Sequence, residues 1–169
     1  DRDYIKTVDN LVFCVVGDVH PPERILAYLK YVLRPAQTPW RILAYYSLPH
    51  VEETLNYLRL KYPKYLFSDD FLGIDFSAVP LTEVKIHYKP EEALRKLVSK
   101  RRDDLEDKAL KLANLISEVS GVGLERLGVS GSILLGIHNP AYSDIDLIVY
   151  GLKESLKVRE ALLNLYGKS

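Results

Sequence analysis

The amino-acid sequence predicts the α/β class, in which helices and strands combine around a mixed sheet. The first observation is a continuous apolar run at residues 11–16, which has the length of a strand buried on both faces. The second is a set of segments that begin with proline or an acidic residue and continue with apolar residues at helical spacing. The third is the order predicted for residues 103–169, namely helix, strand, Gly-Ser turn, helix, strand and helix.

The composition is that of a folded chain with enough apolar residues for one domain or two small ones. Of the 169 residues, 47% are hydrophobic, so the chain can bury a sizeable core. We expect an N-terminal α/β region of unknown role at residues 1–102 and a second domain at residues 103–169. No apolar run is as long as a membrane span, so no membrane partner is expected. The single cysteine, Cys14, excludes an internal disulfide and fits a reducing cytoplasm.

In the first region, apolar runs and prolines mark the predicted elements. Residues 11–16 are predicted to form a strand that contains Cys14. Pro21 and Pro22 predict the start of a helix that continues to about Arg34, because apolar residues recur there at helical spacing. The other predicted elements are a loop at 34–39, a strand at 41–46, a helix from 51 to about 62 and one or two short strands between 65 and 79.

Near and within the second region, helix-capping residues are the strongest local signals. Pro90, followed by two glutamates, predicts the start of a helix that runs to the basic residues 100–102. Asp103 and Glu106 have the spacing of a capping box, which predicts a second helix that ends near Gly121. The remaining predicted elements are a strand at 124–129, a short helix at 133–137, a loop at 139–140, a strand that contains residues 144–146 and a closing helix at 152–165.

Two aspartates in the last predicted strand are the most informative residues of the chain. Asp144 and Asp146 are two positions apart, so in a strand both carboxylates point to the same face while Ile145 points to the core. Two carboxylates on one face repel each other unless a cation lies between them. Hard divalent ions prefer carboxylate and phosphate oxygens, so this pair predicts a site for Mg²⁺ or Mn²⁺.

A Gly-Ser pair lies ahead of the aspartates and is separated from Asp144 by the spacer 133–143. At a turn from a strand into a helix, Gly131 lets the backbone approach a phosphate closely. The backbone N–H groups of Gly131 and Ser132, and the hydroxyl of Ser132, could then hold phosphate oxygens. Together with the aspartates, the pair predicts a binding site for a nucleoside triphosphate and its metal ion.

This arrangement, at residues 128–151, resembles the signature of the polymerase-β-like nucleotidyltransferase superfamily. The amino-acid sequence of this segment is most similar to those of predicted archaeal nucleotidyltransferases of unassigned substrate. The resemblance implies a nucleotidyltransferase core at the C-terminal end of the chain. It also implies that Asp144 and Asp146 are catalytic metal ligands and that Gly131 and Ser132 bind the nucleotide.

The family's core adds a further strand, which carries a third carboxylate some tens of residues after the aspartate pair. The sequence ends at Ser169, before that point, so we expect a truncated core whose third ligand lies beyond residue 169 or is absent. The implied reaction transfers a nucleoside monophosphate from a nucleoside triphosphate to an acceptor hydroxyl by two-metal catalysis. A catalytically inactive nucleotide-binding, Mg-binding or interaction module is the main alternative.

Several points stay open at this stage. The acceptor is unidentified, since this superfamily modifies nucleic-acid ends, small molecules and proteins, although the zero net charge argues against long nucleic acids. The oligomeric state is also open. Asp144 and Asp146 could instead solvate the edge of a sheet. Residues 17–20 resemble the first metal-binding motif of calcineurin-like phosphoesterases, a distant alternative, and we expect Asp18 and His20 to cap the following helix instead.

Overall fold

The computed structural model describes residues 1–34, 39–42, 48–69, 73–99 and 103–167. Helices occur together with antiparallel strand pairs, which confirms the mixed α and β class predicted from the sequence. The chain divides into two compact units, Asp1–His87 and Tyr88–Ser169. In the part of the chain that the structure describes, no helix is long and apolar enough to cross a membrane.

The first unit is built around a seven-stranded sheet. Its elements are β1 (Tyr4–Thr7), β2 (Leu11–Val15), β3 (Arg24–Val32), β4 (Trp40–Arg41), α1 (Leu48–Lys61), β5 (Leu66–Asp69), β6 (Ile74–Pro80) and β7 (Val84–Tyr88). The strands lie in the order β5-β6-β3-β2-β1-β7, and β4 pairs with β3. Ile5, Phe13 and Leu29, from three neighbouring strands, are fully buried and form the centre of the core of this unit.

The helix predicted after Pro21 and Pro22 is wrong, because residues 24–32 form the strand β3. This strand is antiparallel to β2 on one side and to β6 on the other. Ile25, Ala27 and Leu29 alternate along it and pack in the core, a period of two that the helical spacing of the other apolar residues concealed. Because β6 follows some fifty residues later in the chain, the neighbouring sequence could not reveal this pairing.

Other predictions for the first unit are confirmed. β2 matches the predicted strand at 11–16, α1 matches the helix at 51–62, and β5 and β6 are the short strands expected between 65 and 79. Cys14 is a free thiol and is fully buried. Most of the predicted loop at 34–39 and of the predicted strand at 41–46 lies outside the described residues.

The second unit combines helices with a small sheet. Its elements are α2 (Pro90–Ser99), α3 (Asp104–Ser120), β8 (Leu127–Val129), α4 (Gly131–Leu135), β9 (Leu147–Val149) and α5 (Leu152–Tyr166). β8 and β9 form an antiparallel pair. Leu94, Ala109 and Leu127 are buried in a core to which α2, α3, β8 and α5 contribute. The order of elements predicted from residue 103 onwards is confirmed.

Because α2 belongs to the second unit, that unit begins ahead of the boundary predicted at residue 103. Leu97 of α2 and Leu105 of α3 are buried in the same core. The start of α2 also packs closely on β8, since a Cβ atom at Gly128 would lie 2.8 Å from the carbonyl carbon of Pro90. The basic residues 100–102, at which α2 was predicted to end, lie outside the described residues.

Both ends of α3 are capped as predicted. The Oδ1 atom of Asp103 accepts hydrogen bonds from the N–H groups of Leu105 at 3.0 Å and Glu106 at 2.9 Å. In return, the Glu106 side chain accepts a hydrogen bond from the Asp103 N–H at 3.4 Å, which completes the capping box. Gly121 ends the helix with a φ of 66°. These interactions are local, so neighbouring residues were sufficient to predict them.

Candidate functional site

The two halves of the motif meet at one end of the β8–β9 pair. The strands are antiparallel, with Val129 opposite Leu147. The pairing continues one step beyond the strands, because the Ser130 N–H donates to the carbonyl oxygen of Asp146 at 2.8 Å. Antiparallel pairing places the residues that follow one strand beside the residues that precede the other. Gly131 and Asp146 are therefore neighbours in space although they are distant in sequence.

The side chain of Asp146 lies directly against the backbone of Gly131. A Cβ atom at position 131 would overlap with the carboxylate atom Oδ2 of Asp146 and would lie 3.0 Å from its Cγ. Gly131 also has a φ of +63°, in the left-handed region that costs other residues about 1–2 kcal/mol. Glycine is thus required here for two separate reasons, and the space that a Cβ would fill is taken by the Asp146 carboxylate.

The strand predicted to contain Asp144 and Asp146 begins later than expected, since β9 starts at Leu147. The chain turns into α4 after Ser130, so among the described residues β8 provides no partner beside Asp144. The predicted alternation is nevertheless present. Both aspartate side chains are exposed, while Ile145 between them is partly buried against the core. Both carboxylates are therefore accessible to a ligand from solvent.

The hydroxyl of Ser132 is a buried polar atom without a hydrogen-bond partner. A buried donor or acceptor without a partner costs about 1–3 kcal/mol, so such an atom marks a place where a ligand could bind. Two carboxylates and this hydroxyl fit Mg²⁺ and phosphate oxygens by their chemistry. Within the described residues, no cluster of three or more His, Cys, Asp or Glu side chains is suited to a metal ion.

A compact turn precedes the aspartate pair. The carbonyl oxygen of Asn139 accepts hydrogen bonds from the N–H groups of Tyr142 at 3.2 Å and Ser143 at 2.9 Å. The side-chain oxygen of Asn139 accepts from the Ala141 N–H at 2.9 Å, and the Ser143 hydroxyl oxygen accepts from the Asn139 N–H at 2.9 Å. These bonds close residues 139–143 on themselves, so the aspartates follow a defined turn.

His138 connects this turn to the start of α3. Its Nε2 atom is 2.7 Å from Oδ2 of Asp103, and its side chain is only 8% exposed. Hydrogen bonds from the Glu106 N–H and from the His138 ring lower the pKa of Asp103 below its usual value, so this carboxylate is charged and acts as an acceptor. Nε2 therefore carries the hydrogen. The other ring nitrogen, Nδ1, is buried without a partner.

The sequence did not point to this histidine as part of the site. The two partners are 35 positions apart, and Asp103 was recognised only as a helix cap. The signal that identifies His138 is three-dimensional. Of the residues that the structure describes, Ser132 and His138 are the two whose side chains hold a buried polar atom without a partner. Both belong to the segment of the chain that connects β8 to β9.

The residues of the alternative phosphoesterase motif lie in the first unit. Asp18 is exposed, and Nδ1 of His20 accepts a hydrogen bond from the Leu26 N–H at 3.3 Å. The expectation that Asp18 and His20 cap a helix is wrong, because the segment that follows them is the strand β3. His20 instead binds the backbone of that strand.

An open groove of about 340 Å³ lies elsewhere in the second unit. Glu91, Leu94 and Arg95 of α2 line one side of it, and Leu124 lies on the 3₁₀ turn that precedes β8. That turn enters β8 at its first residue, whereas Gly131 follows its last residue. The groove and the motif are therefore at opposite ends of this strand, and the groove takes no part in the candidate site.

An archaeal protein is similar in sequence to this chain. No family model matches the chain. No solved structure matches it either. The chain is 33% identical, over 178 aligned positions, to the uncharacterized protein MJ1086 of the archaeon Methanocaldococcus jannaschii, and the alignment covers 95% of this chain and 50% of that protein. The chain thus spans about half the length of this relative. The name of the relative states no activity, so the comparison assigns none to this chain.

Proposed function

We propose that the second unit binds a nucleoside triphosphate with Mg²⁺ or Mn²⁺ and transfers its nucleoside monophosphate to an acceptor hydroxyl. The observation that carries this proposal is the position of the Asp146 carboxylate against Gly131. The contact brings a metal-binding group next to the backbone of Gly131 and Ser132, whose N–H groups are the proposed phosphate donors. It adds a spatial argument to the resemblance noted in the sequence.

Each motif residue has a role in this proposal. Asp144 and Asp146 hold the metal ion, and their exposure leaves them accessible to a nucleotide from solvent. The N–H groups of Gly131 and Ser132 hold phosphate oxygens together with the Ser132 hydroxyl. That hydroxyl is buried without a partner, so a phosphate oxygen would satisfy it. A bound cation would also relieve repulsion between the two carboxylates.

The proposed reaction is an in-line substitution at the α-phosphorus. The oxygen of the acceptor hydroxyl forms a bond to this phosphorus while the bond from the phosphorus to the bridging oxygen breaks. Pyrophosphate leaves with the electron pair of that bond, and the acceptor proton passes to solvent. When bound, the metal ions supply charge neutralisation and a lowered pKa for the acceptor. The protein's own groups contribute by holding the triphosphate in a fixed orientation.

A module that binds the nucleotide and Mg²⁺ without catalysis is the second candidate. It is favoured by the donor set, because the motif supplies two carboxylates and the described residues hold no larger metal-binding cluster. Two carboxylates can bind a metal ion whose remaining ligands are water and phosphate oxygens. The resemblance implies that transfer needs a third carboxylate. The two candidates therefore differ in whether pyrophosphate is released.

Calorimetric titration with ATP, GTP, CTP and UTP tests the binding. We expect at least one of these nucleotides to bind in the presence of Mg²⁺ and none to bind in EDTA. The double variant D144N/D146N should lose this binding while it stays folded, because removal of carboxylate repulsion does not harm an empty site. Binding that is independent of the metal would contradict the proposal.

Pyrophosphate release separates the transferase from the binding module. Each nucleotide that binds is incubated with small-molecule, protein and nucleic-acid acceptors, and D144N/D146N serves as the control. A Mn²⁺-dependent phosphatase activity that is lost in H20A would instead favour the phosphoesterase.

We further propose a reducing, cytoplasmic location, because the single cysteine of the chain is buried and unpaired.

A further inference from the structure

We infer that Asp103 and His138 are positioning residues, which anchor the aspartate pair of the candidate nucleotide site to the helix α3. The role of the aspartates rests on the proposed function, whereas the anchor itself consists of contacts that are present in the free protein.

The base of the anchor is the capped start of α3. Asp103 uses its two carboxylate oxygens for different purposes. Oδ1 accepts from the N–H groups of Leu105 and Glu106 and so fixes the carboxylate relative to the helix. Oδ2 faces His138 at 2.7 Å. Leu105 and Ala109, in the first turns of α3, are buried in the core, so the base itself is held in place.

His138 passes this constraint on to the aspartates through a short, internally bonded segment. It is followed directly by the turn at 139–143, which four hydrogen bonds close on itself. Asp144 is the next residue. On the other side, the backbone of Asp146 is fixed by the hydrogen bond from the Ser130 N–H at 2.8 Å. Asp144 therefore lies between two fixed points, of which the His138 contact is one.

The contact with Asp103 favours one orientation of the His138 ring. Nε2 donates to a charged carboxylate, so in the neutral ring Nδ1 carries a lone pair and no hydrogen. Rotation of the ring by 180° about the Cβ–Cγ bond would put a carbon atom at the position of Nε2 and would break the contact with Asp103. A residue that is buried, held in one orientation and placed next to a functional segment is the kind of support on which the precision of a binding site depends.

Three substitutions separate the anchor from its other roles. In H138Q, the side-chain amide N–H replaces the ring N–H at Nε2, so the bond to Asp103 is retained. In H138N, the amide ends at the position of Nδ1 and cannot reach Asp103. D103S keeps a residue that caps helices well but removes the oxygen that His138 contacts. H87N is the matched control, because His87 forms a similar contact of 2.6 Å with Asp3 in the first unit.

Hydrogen exchange of the free protein and the Kd of the Mg–nucleotide complex are measured for each variant. We expect the Tyr142 and Ser143 amides to exchange faster in H138N and D103S than in the wild type, since their turn is no longer anchored. The same two variants should bind Mg–nucleotide about 10- to 100-fold more weakly, the effect typical of residues that orient metal ligands. H138Q and H87N should match the wild type in both measurements.

The two measurements can contradict different parts of the inference. Unchanged exchange in H138N and D103S would overturn the anchor, whatever the nucleotide result. Faster exchange with unchanged nucleotide affinity would overturn the positioning role. If the wild type itself binds no nucleotide, the proposed function fails, while the exchange data still decide whether the anchor exists. A loss in H138Q equal to that in H138N would also overturn the assignment, because the two variants differ in the bond to Asp103.

Discussion

The carboxylate of Asp146 lies so close to the α-carbon of Gly131 that no Cβ atom fits between them. A second glycine of the same segment provides a contrast. Gly136 has nearly the same φ, +65° against +63°, but no atom lies within 4 Å of the place where its Cβ would be. The two positions therefore share their backbone conformation and differ in what surrounds them, so the contribution of the Asp146 contact can be measured separately.

Replacement of each glycine by alanine tests this relationship. G131A and G136A should both lower the free energy of unfolding by about 1–2 kcal/mol, because alanine is strained at a positive φ. G131A should also displace the Asp146 carboxylate and abolish Mg-dependent nucleotide binding, whereas G136A should bind as the wild type does. Urea denaturation and calorimetry give the two quantities. Equal nucleotide binding by both variants would show that the contact has no role in the site.

The acidic cap of α3 predicts a pH dependence. The pKa of Asp103 is lowered from its usual 3.8, first by the hydrogen bond from the Glu106 N–H and then by His138. A lowered pKa in the folded state means that the charged carboxylate stabilises the protein above pH 3.8, and that this contribution is lost as the pH falls through the lower folded value.

D103S is the appropriate comparison because it keeps a helix cap without a titrating group. The difference in the free energy of unfolding between the wild type and D103S should shrink as the pH falls below about 4. D103A, which lacks the cap, should be destabilised by a further 1 kcal/mol or so, on the order typical of N-caps. A difference that stays constant through the acid range would mean that the carboxylate charge of Asp103 does not support the fold.

Local interactions were predictable from the sequence, and interactions between distant segments were not. The caps at Asp103 and Gly121 depend on residues within one helical turn, so the pattern identified both. The strand β3 was mistaken for a helix because its apolar residues fit either period and its partner β6 is remote. The contact of His138 with Asp103 has no sequence signature, since the two residues are 35 positions apart.

Substitution of Gly128 tests how closely the start of α2 packs on β8. In G128A, the added Cβ would lie 2.7 Å from the Cβ of Pro90 and 2.9 Å from the Glu91 nitrogen, so the start of α2 must move. We expect a loss of about 1–3 kcal/mol in the free energy of unfolding, as for other overpacked sites.

G123A is the matched control for this variant. There the added Cβ would meet only the flexible carboxylate end of Glu125, which can turn away, so the stability should change by much less than in G128A. Urea denaturation of both variants measures the difference. If G128A were as stable as G123A, the close packing of the start of α2 on β8 would be contradicted.

The position of the metal ion is the most direct test of the proposed site. Mn²⁺, added together with a nucleoside triphosphate that binds, broadens NMR signals most strongly for the amides nearest to it. We expect the signals of Gly131, Ser132, Asp144 and Asp146 to broaden first, at Mn²⁺ concentrations that leave Asp18 and His20 unaffected. Broadening that begins at Asp18 and His20, or that shows no preference for the motif, would contradict a nucleotide and metal site at this end of the β8–β9 pair.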